Sequence, residues 1–355
     1  MSLFNAAQLT FNGKEAQEFA DVVVENIFAK PALEEFHSVD EDIVAKEQIA
    51  ILGRINKISK KDPGCGQGKE NKTIPMSEKF WNPSLIKVWL TFCHSELEKA
   101  FPVWKKKKGD AISDMTDSEI MDLYLVETVE DAMYEDALRI AWLSDTAIAK
   151  VANGGTLADH AEANVNDYNQ IDGFIKQLIT IGTNTPARRV VIAENAGATF
   201  EDQQTLPDDA ARKIFKELYN KADFRLRGQA DKVIVATQSL VDNYADYLDS
   251  RNLDASFVRI EEGFTMLKYR NMTIIGFNLL DRYIAEDFVD ATKYTVGPHF
   301  AVLTTPNVLR IGVDAKSSLS EFSVWYSMDD ETNNIRGKYK LDAKVILDYS
   351  VQVAY

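Results

Sequence analysis

The chain has 355 residues, is 45% hydrophobic and carries a formal net charge of −15. This composition is typical of a folded protein of two or three domains and excludes a disordered chain. The acid excess disfavours nucleic-acid binding as the main role, because proteins that grip phosphates usually present a basic face.

The sequence carries no recognisable targeting or membrane-spanning pattern. Its first residues lack a basic region followed by an apolar run, so we expect no signal peptide. No stretch approaches the roughly 18 apolar residues that span a bilayer, so we expect no membrane partner. Two cysteines, Cys65 and Cys93, are too few for a disulfide framework and indicate a reducing cytosol.

Apolar residues recur at helical spacing between residues 12 and 30 and stop at Pro31. This pattern predicts an amphipathic N-terminal helix. Such a helix either packs on its own subunit or reaches onto a neighbour.

The next pattern predicts a long β-hairpin. Residues 49–58 and 85–93 both have the composition of strands, and the segment 59–72 between them is polar and rich in glycine. We expect the two strands to pair with each other and to project the glycine-rich segment as a tip.

A long helix is predicted over 117–143. At 1.5 Å per residue it would span about 40 Å and act as a structural beam. The basic stretch before it, 104–110, is interpreted as a solvated loop or, alternatively, as a contact with an acidic neighbouring subunit. The apolar stripe of the helix has three-and-four spacing and comprises Leu123, Val126, Val129, Met133, Ala137 and Ile140.

The segment after this helix alternates helix and strand, which indicates a mixed α/β domain. Helices are predicted over 207–226 and 239–249. A buried strand is predicted over 230–236, and further strands lie between 254 and 277.

The C-terminal segment is strongly β. Residues 322–328 and 339–353 alternate apolar and polar side chains, and only Ile346 breaks the period of two. The link 329–334 contains turn-forming residues, so we expect an antiparallel pair.

The sequence offers no catalytic, cofactor or metal site. Residues 64–69 superficially resemble a phosphate-binding loop, but Pro63 and Glu70 stand where that motif needs Gly and Ser or Thr. Adjacent carboxylates such as Asp208 and Asp209 are expected by chance among 55 acidic residues. We therefore predict a protein that is not an enzyme. No two of its histidines form a close pair; they are His37, His94, His160 and His299.

The order of these pieces resembles that of the Hong Kong 97-like major capsid proteins of tailed bacteriophages. Residues 134–145, YEDALRIAWLSD, look like the end of the spine helix of that family. Residues 168–178, YNQIDGFIKQL, resemble a segment of capsid proteins of Bacteroidetes-type phages. Residues 232–244, KVIVATQSLVDNY, are similar to a strand and helix of the family's axial domain. The resemblance covers nearly the whole chain and depends on the order of the pieces.

The resemblance implies a fold of the α+β class, the Hong Kong 97-like capsid fold. Its implied parts are an N-terminal arm (1–46), an extended E-loop hairpin (47–92), a peripheral (P) domain with its spine helix at 117–143 (93–167), an axial (A) domain of mixed α/β structure (168–312), and C-terminal strands that return to the P and A domains (313–355).

The resemblance also implies a structural function. The subunit would assemble with itself into pentamers and hexamers of an icosahedral phage head that encloses double-stranded DNA, which it would contact only indirectly. A separate scaffolding protein, a portal and decoration proteins would be further partners. The protein would be part of the virion, assembled in the cytoplasm of the bacterial host, with no cofactor.

The E-loop tip is the site that the resemblance assigns to contacts with a neighbouring subunit. No crosslinking chemistry is assigned to its lysines. The tip residues are Lys60, Lys61, Gly64, Gly66, Gly68, Lys69 and Lys72.

Two alternatives stay open at this stage. An encapsulin-like nanocompartment shell would share the fold but enclose a cargo enzyme instead of a genome. An unrelated enzyme with an unrecognised site in the mixed α/β domain is the second alternative.

Overall fold

In the computed structural model of the protein, the described residues are 36–55, 57–59, 61, 73–93, 133, 135–148, 165–251, 259–261, 264–314, 323–327 and 332–355. Three predicted segments lie partly or wholly outside these residues. They are the helix at 12–30, the basic stretch 104–110, and residues 117–132 and 134 of the helix predicted over 117–143.

The described elements are numbered in chain order. The strands are β1 (Ser38–Asp40), β2 (Gln48–Leu52), β3 (Met76–Phe80), β4 (Ser84–Cys93), β5 (Arg189–Val190), β6 (Val233–Ala236), β7 (Arg259–Glu261), β8 (Phe264–Tyr269), β9 (Met272–Phe277), β10 (Ala301–Thr304), β11 (Leu309–Val313), β12 (Ser323–Ser327), β13 (Thr332–Val345) and β14 (Gln352–Ala354). The helices are α1 (135–143), α2 (Phe174–Asn184), α3 (Phe200–Gln204), α4 (Ala210–Lys221), α5 (Phe224–Arg227), α6 (Gln238–Ser250) and α7 (Asn278–Asp287).

A seven-stranded mixed sheet has the strand order β5-β14-β10-β6-β9-β8-β7. Its central strand β6 is buried along its whole length, as the uninterrupted apolar run predicted. Alternate residues of β6 enter two different cores: Val233 and Val235 join one, and Ile234 and Ala236 join the other. Both faces of the sheet are therefore covered.

Helices form the two outer layers around this sheet. Phe215 of α4 and Tyr244 of α6 lie in the core on one face. Phe174 of α2 and Ile284 of α7 lie in the core on the other face. The result is a three-layer arrangement of helix, sheet and helix.

A second sheet has five strands, with the order β1-β11-β13-β12 and β4 as a further partner of β13. The long strand β13 pairs antiparallel with β12, β4 and β11 along different parts of its length. The predicted alternation is confirmed, because Tyr339, Leu341, Ala343 and Val345 are all buried while the residues between them include outward-facing lysines. The predicted antiparallel pairing of the two C-terminal strands is also confirmed.

The core beside the five-stranded sheet is rich in aromatic side chains. In α1, Ala137 and Ile140 are buried, as the predicted stripe requires. Trp142 at the end of α1 is completely buried, donates from Nε1 to Nε2 of His37 at 3.0 Å, and meets Phe174 edge-on. These contacts join α1, α2 and the segment before β1 in one core.

The predicted hairpin pairing is wrong. β2 pairs with β3, and β4, which was expected to be its partner, pairs with β13 over ten residue pairs. Ile86 of β4 is buried in the aromatic core, with Val88 and Leu90 packed against it. β4 therefore completes the five-stranded sheet, because this apolar face has to be covered.

Two further predictions are corrected by the described elements. The single helix expected at 207–226 is two helices, α4 and α5, since Ala222 ends α4 and the side chain of Asp223 caps α5 by accepting from Arg225 N. The strand expected at 339–353 ends at Val345. After Ile346 the chain leaves the five-stranded sheet and enters the seven-stranded one as β14.

Candidate assembly surfaces

β2 and β3 form a separate two-stranded antiparallel ribbon. Gln48 lies opposite Phe80 at one end, and Leu52 lies opposite Met76 at the other. Among the described residues, neither strand pairs with a third one. A lone two-stranded ribbon is marginally stable in water, so this one depends on its anchor and on what packs against it.

The far end of the ribbon exposes apolar side chains. Leu52 is 68% exposed and Met76 is 70% exposed. The two share one face, because residues directly opposite in an antiparallel pair point the same way. Ile58 and Ile74 in the adjoining segments are also more than half exposed. Exposed apolar side chains grouped in this way are typical of interaction surfaces.

The base of the ribbon is anchored on the five-stranded sheet. Trp81 follows β3, is 4% exposed and donates its backbone N–H to the carbonyl of Glu47 at 2.8 Å. Its ring covers Gly312 of β11, where an added Cβ would lie 3.0 Å from ring atoms. Lys79 donates to the carbonyl of Val345 and to the carboxylate of Asp348, both at 2.5 Å. Among the described residues, these anchoring contacts all lie at one end of the ribbon.

Asp342 is a buried carboxylate beside this anchor. It accepts from the backbone N–H of Asn82 at 2.7 Å and lies 3.3 Å from the ammonium group of Lys344. Burial raises the pKa of Asp342, although Lys344 and the N–H donors oppose that shift. The carboxylate links the start of β4 to β13.

The outward face of β4 and β13 carries cations and a tryptophan. Trp89 is 53% exposed, and the ammonium group of Lys87 lies 3.8 Å from its ring centroid. Across the strand pair, Lys338 lies opposite Lys87 and Arg336 lies opposite Trp89. Leu85, 56% exposed, lies on the same face. This face is basic in a chain whose net charge is −15.

Most of the predicted tip residues cannot be compared with the ribbon. Lys60, Gly64, Gly66, Gly68, Lys69 and Lys72 lie outside the described residues. Lys61 is described and exposed. The apolar pair of the ribbon was missed, because β3 has the polar sequence MSEKF and shows little alternation.

Within the part of the chain that the structure describes, the closest approach to a catalytic arrangement is a serine–histidine contact. Nδ1 of His299 lies 2.8 Å from Oγ of Ser239, and its Nε2 lies 2.7 Å from the carbonyl oxygen of Gln203. Burial lowers the pKa of His299. A catalytic histidine is usually oriented by a carboxylate, whereas this one contacts a backbone carbonyl and is 1% exposed. The contact therefore ties α6 to the segment before β10.

Other chemical features of the described part of the chain are few. A cavity of about 270 Å³ lies between α2, α7 and the end of β5, and its wall includes Ile175, Arg189 and Tyr355 but neither Ser239 nor His299. No group of three His, Cys, Asp or Glu among the described residues could hold a metal ion. No described helix is long and apolar enough to cross a membrane.

The protein resembles known proteins in structure but matches none of them in sequence-based comparisons. No protein-family model matches the sequence, and no curated protein matches it. A chain of the satellite phage P4 procapsid, solved with the size determination (Sid) protein, aligns over 95% of this chain and 89% of its own length, with a TM-score of 0.54 and 14% identity. The fold is therefore a mixed helix-and-sheet fold that a phage procapsid chain also has.

Two further solved chains are less similar in structure. The SrpI encapsulin of Synechococcus elongatus PCC 7942 covers 92% of this chain and 88% of its own, with a TM-score of 0.46 and 10% identity. A chain of Gordonia phage Cozz covers 92% and 86%, with a TM-score of 0.46 and 14% identity. At the level of the fold, the expected likeness to phage capsid proteins is confirmed by the P4 chain; the Bacteroidetes-type likeness stays a prediction.

Proposed function

We propose that this chain is the major capsid subunit of a tailed bacteriophage. In this role it assembles into pentamers and hexamers of an icosahedral head that encloses double-stranded DNA. The observation that carries the proposal is the ribbon of β2 and β3, an apolar projection anchored at one end on a body that has the fold of a procapsid chain. A projection of this kind enlarges the surface offered to neighbours without enlarging the core.

The ribbon of one subunit docks on the basic face of β4 and β13 of the next subunit. The two surfaces are complementary in apolar character and in charge. Leu52 and Met76 on the ribbon match the exposed Trp89, which supplies apolar contact area. Glu78 lies on the same ribbon face and matches Lys87 in charge.

The parts of the subunit follow the boundaries expected from the sequence, except that β4 at the end of the E-loop segment and β11 at the end of the A-domain segment lie in the five-stranded sheet. Residues 1–46 form the arm, 47–92 the E-loop with its tip at Lys61 and the neighbouring lysines and glycines, and 93–167 the P domain. Residues 168–312 form the A domain, and 313–355 supply the returning strands. The proposal for the last segment is supported by its strands β13 and β14, which lie in the five-stranded and the seven-stranded sheet respectively. A separate scaffolding protein, a portal and decoration proteins are proposed partners, with assembly in the host cytoplasm.

Charge exchange across the proposed contact tests the docking. Glu78→Lys and Lys87→Glu should each reduce particle formation, because each places like charges together. The double variant should recover most of it. A double variant as defective as the single variants would refute this docking. Unfolding midpoints close to that of the unaltered protein would show that all three variants are folded.

The contents of purified particles test the phage assignment. A phage capsid assembled in infected cells should contain double-stranded DNA, measured by nuclease protection. A cargo enzyme in place of nucleic acid would instead identify a nanocompartment shell.

A further inference from the structure

Three arginines lie close together at one end of the seven-stranded sheet. Arg212 lies on α4, Arg251 follows α6, and Arg270 lies in the turn between β8 and β9. Among the described residues, none of the three forms an ion pair within 4.0 Å, although Arg212 acts electrostatically on Asp209, whose carboxylate pairs with Lys213. This is unexpected in a chain with 55 acidic and 40 basic residues.

Each of these arginines lies against a tyrosine ring. The guanidinium carbon of Arg212 is 5.2 Å from the ring centroid of Tyr247, and that of Arg251 is 5.8 Å from the same ring. Arg270 is 4.6 Å from the ring of Tyr219. A guanidinium group that stacks on a ring can still donate from its exposed N–H groups to a carboxylate, although the Nε atom of Arg212 is itself buried. We call these five residues the arginine–tyrosine surface.

The rings of Tyr219 and Tyr247 pack against the core beneath this surface. Phe215 meets Tyr244 with centroids 5.5 Å apart, and Tyr244 meets Tyr269 at 5.9 Å. All three side chains are buried. The arginines are therefore presented on a rigid base, so little ordering entropy is lost when they bind.

Arg270 occupies a backbone position that favours glycine. Its φ is 56°, and it is the first of two residues that join Tyr269 to Met272 across the β8–β9 hairpin. A non-glycine residue is strained in this conformation. The strained arginine at the tip of the hairpin points to a use for its exposed side chain.

A stripe of carboxylates runs along the exposed side of α6. Asp242, Asp246 and Asp249 are all exposed and are spaced by four and three residues, which places them in one row about 10 Å long. Among the described residues, none of them is paired with a cation. The same helix also carries Tyr247 of the arginine–tyrosine surface. We call this row the aspartate stripe.

We propose that the arginine–tyrosine surface of one copy of this chain binds the aspartate stripe of a second copy. The partner is a second copy because the unpaired charges of both signs lie side by side on one molecule, so each copy carries the complement of the other. A nucleic acid fits less well, since the aspartate stripe would repel its phosphates. The proposal rests on the proposed function only in that copies of the chain associate.

Charge reversal of the two partners separately and together tests this contact. One variant carries Arg212→Glu and Arg270→Glu, and a second carries Asp246→Arg and Asp249→Arg. Each should weaken association at least about tenfold in sedimentation, because like charges then face each other. A chain with all four substitutions should associate nearly as well as the unaltered chain. The control variant, Arg227→Glu with Lys293→Glu, makes the same change in charge at exposed positions elsewhere and should associate normally.

The outcomes separate this inference from the proposed function. Unfolding midpoints of all variants must match that of the unaltered chain, which shows that the fold is intact. Normal association of either pair variant, or a combined variant weaker than both, would overturn the contact and leave the shell function standing. A chain whose unaltered form never associates, even with scaffold, would overturn both. Tight binding of a duplex DNA probe that the arginine variant abolishes would replace the second copy by nucleic acid.

Discussion

Leu52 on β2 lies directly opposite Met76 on β3, and the two side chains are 68% and 70% exposed. Two large apolar side chains therefore meet on the solvent side of a ribbon that has no third strand among the described residues. Burial of this pair would contribute several kcal/mol at about 25 cal/mol per Å². Under the proposed function, this free energy is gained when another subunit covers the pair.

Removal of the exposed pair should impair assembly without affecting folding. The variant Leu52→Ser with Met76→Ser should unfold at nearly the same temperature as the unaltered chain, because neither side chain is buried in the subunit. Particle formation should fall strongly in sedimentation and electron microscopy. The control is Val191→Ser with Phe224→Ser, which removes apolar residues that are 64% and 75% exposed elsewhere. Equal particle yields for the two variants would contradict a role for the ribbon.

A single methyl group added at the anchor of the ribbon should lower the stability of the protein. Gly312→Ala would place a Cβ 3.0 Å from the ring of Trp81 and 3.3 Å from Ile43, and both of these side chains are buried. We expect a loss of about 1–3 kcal/mol in the free energy of unfolding, measured with denaturant. Gly228→Ala, where a Cβ would have only ordinary contacts at 3.5 Å or more, is the matched control. A neutral Gly312→Ala would mean that Trp81 shifts freely.

The buried stripe of α1 predicts unequal effects for two substitutions on one helix. Ile140 is 2% exposed, so Ile140→Asp buries an unpaired charge and should cost several kcal/mol. Glu135 forms a partly exposed ion pair with Arg282 at 3.1 Å. Glu135→Gln should change stability by at most about 1 kcal/mol. Similar losses in chemical denaturation would show that the helix is differently oriented.

The carboxyl of Asp281 should make the free energy of unfolding fall as pH rises, which is the opposite of what a carboxyl with a lowered pKa does. Burial raises the pKa of its carboxyl from 3.8 to about 6, although the N–H groups of Gln238 and Ser239 donate to it. The folded state therefore holds the proton more tightly than the unfolded state does. The resulting stabilisation is complete below pH 3.8 and is lost as pH rises through about 6, by on the order of 3 kcal/mol.

The Asp281→Asn variant isolates this effect, because its amide is neutral at every pH and can still accept from the helix N-terminus. The free energy of unfolding of the native chain, minus that of the variant, should fall between pH 4 and pH 7. A difference that is constant or rises over this range would contradict the raised pKa.

Local patterns in the sequence predicted where the strands lie better than they predicted which strands pair with each other. The alternation around Tyr339 and Leu341 and the apolar run around Ile234 identified β13 and β6, because burial of one or both faces imposes those patterns. The pairing of Ile86 with Tyr339 could not be read from the sequence, since it joins strands some 250 residues apart. Partner choice depends on which faces remain uncovered, and a local pattern does not contain that information.

The candidate surfaces were less predictable than the fold. Periodicity shows that Leu52 and Ile51 lie on opposite faces, but it does not tell which face another element covers. The arginine–tyrosine surface combines α4, α6 and a β-turn, so its residues are scattered over the sequence. Glycine and lysine content drew attention to Lys61 and its neighbours, and their contact with another subunit stays a prediction.

The central claim is that this chain builds a closed shell, and electron microscopy of the purified protein tests it most directly. The chain is expressed alone and together with the candidate scaffolding protein from the same source. We predict uniform closed particles with five-fold and six-fold clusters of subunits in at least the co-expressed sample. A folded chain that stays monomeric in both samples at every concentration would contradict the account.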